Sequence, residues 1–249
     1  MRQFYFVISL LSISLTQAQN DSIYFWKSGA LLEKRSIKTA DLDSITFKRP
    51  TATPSPCGDT TAPYPTVTIG SQVWMQKNLN VCKYRNGDDI PQVQDPTAWA
   101  ALTTGAWCYN NNDTANGPVY GKLYNWYAVN DPRGLAPTGY HIPSDAEWTT
   151  LTTFLGGESV AGNKMKATTL WAPFSGITNT NSSGFTGLPG GYRNYDGTFY
   201  SVGTSGSWWS SSENSTTPGW YRGLNYNYSR ASRNNYIETD GFSVRCLRD

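Results

Sequence analysis

The chain has 249 residues, of which 15% are charged and 38% hydrophobic, with a formal net charge of +2. That length accommodates one large or two modest domains with a buried core, and the near balance of charge excludes both the basic footprint of a nucleic-acid binder and a long acidic tail. Ten Trp, 16 Tyr and 9 Phe, set among abundant Gly, Asn, Ser and Thr, favour strands and turns over long helices.

The N-terminus reads as a signal peptide over residues 1–18. Met1-Arg2 is a short positive start, Phe4 to Leu15 is an apolar run, and Thr16-Gln17-Ala18 supplies the small residues of a cleavage site. The run is shorter than the roughly 18 apolar residues of a membrane span, so no span is expected, and no cysteine follows closely enough for a lipid anchor. The expected location is secreted or at the cell surface. The four cysteines, Cys57, Cys82, Cys108 and Cys246, form no CxxC pair and accompany a single His, so zinc lacks ligands. Disulfides are the better reading in an oxidising compartment, with three connectivities open.

Residues 19–49 form a short β-rich segment in which Ser22–Trp26 and Ala30–Arg35 flank Lys27-Ser28-Gly29 as a hairpin and Asp43–Phe47 adds a third run. Pro50, Pro54, Pro56, Pro63 and Pro65 mark residues 50–65 as a Pro/Thr-rich linker, and the main domain spans 66–249. It opens with a hairpin of Thr66–Ile69 and Gln72–Met75 around Gly70-Ser71. A short helix is expected at Asp95-Pro96, where an acidic cap precedes proline. Tyr120, Leu123, Tyr124 and Tyr127 carry the spacing of one helical face and predict a helix over 120–129. Ser144 and Glu147 make a capping box ahead of Trp148, Leu151 and Leu155, and Gly156-Gly157 stops that second helix. Beyond residue 157 the texture is loop-rich β structure, with strand-like runs at 207–211, 219–228 and 242–247. Most aromatics there belong to the core, and strand alternation sends Trp208 and Trp209 to opposite faces.

Six blocks in order resemble the Fibrobacter succinogenes major paralogous domain family. They are Thr68–Met75 with Asn78-Leu79; Tyr120-Gly121 with Leu123–Ala128; Gly139–Pro143 with Asp145–Trp148; Gly184-Phe185 with Leu188–Arg193; Trp208–Ser211; and Gly241–Cys246. The segment before the linker resembles N-terminal pieces of exported proteins of the Bacteroidetes and Fibrobacteres. The resemblance implies an α+β, C-type-lectin-like domain: two helices, a small twisted antiparallel sheet and a long loop region, with its ends close together. It supplies no activity, because the family is defined by sequence.

Enzyme signatures are absent: there is no GxSxG, HExxH, phosphate-cradling loop or EF-hand loop. His141, before a helix cap, is read as structural, and Asp88, Asp89, Asp95 and Asp113 as solvated loop charges. Sugar-binding C-type lectins hold calcium with Glu-Pro-Asn or Gln-Pro-Asp and a downstream Trp-Asn-Asp, none of which occurs here. The related formylglycine-generating enzymes need paired cysteines near the C-terminus, and Cys246 has no near neighbour. No metal or cofactor is expected. Pairing of Cys57 with Cys82 is expected because the two flank the opening hairpin, and pairing of Cys108 with Cys246 because both lie inside the resembling region.

The remaining candidates are a binding surface of Trp220, Tyr221, Arg222, Asn225, Tyr226 and Tyr228, whose rings, amides and guanidinium suit a sugar or another ligand face. The expected function is an exported, non-catalytic binding or adhesion module for a glycan or a cell-surface partner. The alternatives are an enzyme on a lectin-like or formylglycine-generating-enzyme-like scaffold with an unrecognised site, and a purely structural surface protein.

Overall fold

In a computed structural model of the chain, the described residues are 21–27, 30–37, 64–213 and 219–249. The predicted leader, the run Asp43–Phe47, Cys57 and most of the linker lie outside them. The chain divides into two units, residues 1–53 and 54–249. In the first, β1 (Asp21–Lys27) pairs antiparallel with β2 (Ala30–Ile37), with a register shift between Phe25 and Trp26.

The second unit opens with β3 (Thr66–Ile69) and β4 (Gln72–Met75), turned at Gly70, whose φ of 62° lies in the left-handed region that glycine tolerates. Asp95 caps α1 (Pro96–Ala100) by accepting from the Ala98 amide at 2.8 Å. After β5 (Trp107–Cys108), the single helix expected over 120–129 is replaced by three short pieces: α2 (Gly117–Tyr120), β6 (Leu123–Tyr124) and α3 (Trp126–Val129). The helix breaks at Gly121, which adopts φ 76° and ψ −159°. Leu123 and Tyr124 then bond to β5, and Asn125 restarts the helix by capping Ala128. Helical spacing in the aromatics was outweighed by a sheet pairing that periodicity cannot register.

β7 (Tyr140–His141) leads into α4 (Asp145–Phe154), where the expected capping box forms and Gly156 and Gly157, both at positive φ, end the helix. α5 (Glu158–Met165) follows, a helix whose buried face of Ala161, Gly162 and Met165 is too small a stripe to show in the sequence pattern. The rest is β8 (Gly190–Arg193), β9 (Phe199–Val202), β10 (Ser205–Trp209), β11 (Gly219–Asn225), β12 (Ala231–Tyr236) and β13 (Leu247–Arg248).

The main sheet has the order β12-β11-β10-β8-β9, antiparallel except for the β10–β8 pair. A second sheet, β3-β4-β13-β7, closes the end of the chain onto the opening hairpin through Leu247 opposite Trp74. The fold is thus α+β and mostly β. One core cluster is built on Trp74, Trp148, Phe185 and Trp208, with neighbouring ring centroids 4.7 to 5.8 Å apart. Another gathers Tyr124, Trp126, Trp209, Phe242 and Val244. Trp208 and Trp209 do alternate, but both are 0% exposed. The sheet is covered on both sides at that point, so each ring enters a different cluster rather than one reaching solvent.

Candidate functional site

The register of the main sheet determines what its open face presents. Ser207 stands opposite Gly223 and Gly223 opposite Ser232; Tyr221 stands opposite Asn234 and Ser205 opposite Asn225. With a side-chain period of two, these positions share one face. Tyr192 from β8 and Tyr228 from the β11–β12 turn complete a hollow of about 180 Å³. Its floor is the buried ring of Phe242. The rings of Tyr192, Tyr221 and Tyr236 surround that floor at 5.8, 4.7 and 6.0 Å, and Trp209 lies against it at 4.3 Å. Gly223 contributes no side chain; a Cβ there would come within 3.3 Å of the Tyr221 ring.

The lining carries hydroxyls, carboxamides and ring faces, and no carboxyl, imidazole, amine or guanidinium. Burial pushes the Tyr221 phenol up to about 12 against the opposing pull of a hydrogen bond with Asn234, and burial likewise raises Tyr192. Both therefore remain neutral hydroxyls at physiological pH. The turn between β11 and β12 is held from below by Lys166, whose ammonium donates to the carbonyls of Asn225 and Tyr228 at 2.9 Å each. Near Tyr192 lies Asp240, 0% exposed, neither of whose carboxylate oxygens has a close, well-aligned donor. Desolvation pushes its pKa to about 8, Asp196 adds to the rise, and the Tyr195 amide alone opposes it.

The structure divides the six residues singled out from sequence. Tyr221, Asn225 and Tyr228 line the hollow. Arg222 points to the other side of the sheet, where its buried guanidinium pairs with Asp145 at the start of α4 at 2.9 Å. Arg233 joins the same carboxylate at 2.8 Å and stacks over Trp220 at 3.5 Å. Tyr226 packs edge-on against Phe174 at 5.5 Å. Three lining rings and the serines escaped sequence reasoning: Tyr192, Tyr236 and Phe242 with Ser205, Ser207 and Ser232. The signal was present in the alternation Ser232, Asn234, Tyr236, a run that carries a single aromatic ring.

The resembling blocks meet at a polar knot inside the fold, and two of them also reach the hollow through Tyr192 and Phe242. The Asn78 side-chain oxygen accepts from Trp208 Nε1 at 2.8 Å and from Arg245 at 3.1 and 2.6 Å, and Arg245 also donates to the carbonyls of Met75 and Phe185. His141 is held between two carboxylates, Nδ1 to Asp249 at 2.7 Å and Nε2 to Glu147 at 3.0 Å.

The expected Cys108–Cys246 bridge is overturned, because both are buried free thiols. Cys108 packs with Trp99, Ala106 and Leu123, whereas Cys246 belongs to the cluster of Tyr124, Phe242 and Val244, and burial pushes each thiol to about 12. Cys57, the expected partner of Cys82, lies outside the described residues. Among the described residues, no group of three or more His, Cys, Asp or Glu is placed to hold a metal ion, and no helix is long and apolar enough to cross a membrane.

No curated protein and no solved structure matches the chain. The family model of the Fibrobacter succinogenes major domain matches residues 67–248, from within the opening hairpin to the last strand, and the chain therefore belongs to that family.

Proposed function

We propose that this protein is an exported, non-catalytic binding or adhesion module whose hollow on the main sheet takes a neutral glycan. The observation that carries the reading is the lining: tyrosine rings around a phenylalanine floor, with serine hydroxyls and asparagine amides and no charged group. Ring faces stack on the C–H faces of sugars, while hydroxyls and amides exchange hydrogen bonds with sugar hydroxyls; a charged ligand would be left without a counter-charge. Export rests on the N-terminal pattern of residues 1–18. A C-type-lectin-like arrangement belongs to the same proposal, supported by the few helices and by the last strand meeting the opening hairpin. So does the Cys57–Cys82 bridge, Cys82 not being among the free thiols.

The test is a glycan array probed with the chain from residue 19 onward, followed by calorimetric titration of any neutral glycan that binds. Tyr221→Ala should weaken binding by about 1–3 kcal/mol, roughly 5- to 150-fold, while Trp220→Ala on the opposite face leaves it unchanged. Silence across all neutral glycans, or binding abolished by a chelator, counts against the proposal.

A further inference from the structure

The hollow does not end at its wall. Tyr192, which lines it, is the cross-strand partner of Tyr200 on β9, and the two rings stack with centroids 5.6 Å apart and planes 29° apart. Tyr200 is 45% exposed, and on the far side of the floor Tyr236 is 38% exposed. Aromatic rings thus continue from Tyr236 through Phe242 and Tyr192 to Tyr200 in steps of 6.0, 5.8 and 5.6 Å. A half-exposed tyrosine stacked on a wall residue is not needed to fill any core, and Tyr200 belongs to none of the buried clusters.

We propose that the hollow is one subsite of a longer track, and that the ligand is a chain of neutral sugar units, one seated over Phe242 and the next carried across Tyr192 onto Tyr200. This rests on the glycan reading of the hollow and narrows it from any neutral sugar to an oligomer or polymer. Charge selects the class: no acidic or basic side chain lines the hollow, so uronic-acid or sulfated polymers are disfavoured. An extended peptide is the other chain-like occupant that an edge strand invites. It is disfavoured because β9 is broken at Ser201, whose φ of 66° interrupts the run of edge hydrogen-bonding groups that an added strand needs.

The experiment measures affinity of the wild-type chain, Tyr200→Ala and Tyr221→Ala for neutral gluco-, xylo- and manno-oligosaccharides of two to six units. Wild-type affinity should rise with length within at least one series. Tyr200→Ala, an exposed change, should lose roughly three- to tenfold for the longer members and nothing for the shortest. Tyr221→Ala should weaken short and long members alike. Wild-type binding that is indifferent to length, or a Tyr200→Ala variant that binds long chains normally, overturns the track while leaving the single hollow standing. Absence of binding at every length overturns both readings, as does capture of unstructured peptides in place of sugars.

Discussion

Replacing Asp240 with Asn should change how the stability of the domain depends on pH. The carboxyl is buried, only the Tyr195 amide opposes the rise, and its pKa is pushed from 3.8 to about 8, mainly by desolvation. A raised acid pKa in the folded state means that folding takes up a proton between these values. The native protein is then unburdened below pH 3.8, loses stability steadily as pH rises, and carries the full penalty above about 8. At about 1.4 kcal/mol for each pH unit in that window, the ceiling approaches about 6 kcal/mol. An interior that responds with an effective dielectric near 20 would bring this down, and we expect about 2–3 kcal/mol. Asp240→Asn keeps the shape of the neutral acid and cannot ionise. At pH 4.5, where about 1 kcal/mol of the penalty is already present, the variant should melt only slightly higher than the wild type, and at pH 8.5 it should melt roughly 5–10 °C higher. The difference between the two, followed by calorimetry, isolates this group from Lys122 and Lys166. Their pKa values are lowered by burial to about 7 and about 8, and their linkage has the opposite sign. A difference in melting temperature that stays constant from pH 4.5 to 8.5 would refute the reasoning.

His141 should give a smaller effect over a higher window. Desolvation alone would lower its pKa, but hydrogen bonds with Asp249 and Glu147 outweigh it and raise the pKa above 6.5, so its stabilisation is complete below 6.5 and is lost as pH rises through the folded value; His141→Gln should remove that segment of the melting profile and, on the acid side, relax part of the lowering of Glu147. Alkylation of the unreduced, denatured chain followed by peptide mapping should label Cys108 and Cys246, and the same reagent on the folded protein should leave both untouched. Gly191→Ala should cost about 2–4 kcal/mol by melting, because Gly191 sits at φ 64° and a Cβ there would clash with the Tyr200 carbonyl and the Asn110 amide; a neutral result would mean that the β8–β9 hairpin is shaped differently.

Local chemistry was the legible part of this fold. Ser144 with Glu147, Asp95 before Pro96, and Gly70 between two alternating runs each act within a few residues, and each formed where the sequence placed it. What failed was decided by partners far along the chain. Tyr120 to Tyr127 lost their helix because Leu123 and Tyr124 bond to Trp107 and Cys108, and Cys108 and Cys246 packed into different clusters although both lie in the resembling region. The candidate site was half legible for the same reason. Alternation along β11 separates Tyr221 and Asn225 from Trp220 and Arg222 in principle, but which set faces the helices depends on Asp145, about 75 residues earlier, reaching Arg222 and Arg233. Tyr192 and Tyr236 become neighbours of Tyr221 only once β8 and β12 take their places in the sheet.

The two sides of β11 and β12 also differ in how freely they can change. On the helix side, Arg222 and Arg233 share the Asp145 carboxylate, and loss of Asp145 would strand the buried Arg222 guanidinium. On the open side, Ser205, Asn225, Ser232 and Asn234 border a hollow, and exchanging them alters what it presents without emptying a core. The serine and asparagine positions of the open face are therefore freer to drift than the Arg222–Asp145 pair behind them. Duplicated copies of such a chain would keep one scaffold and diverge in what this face presents, through substitutions confined to a few positions of the same strands.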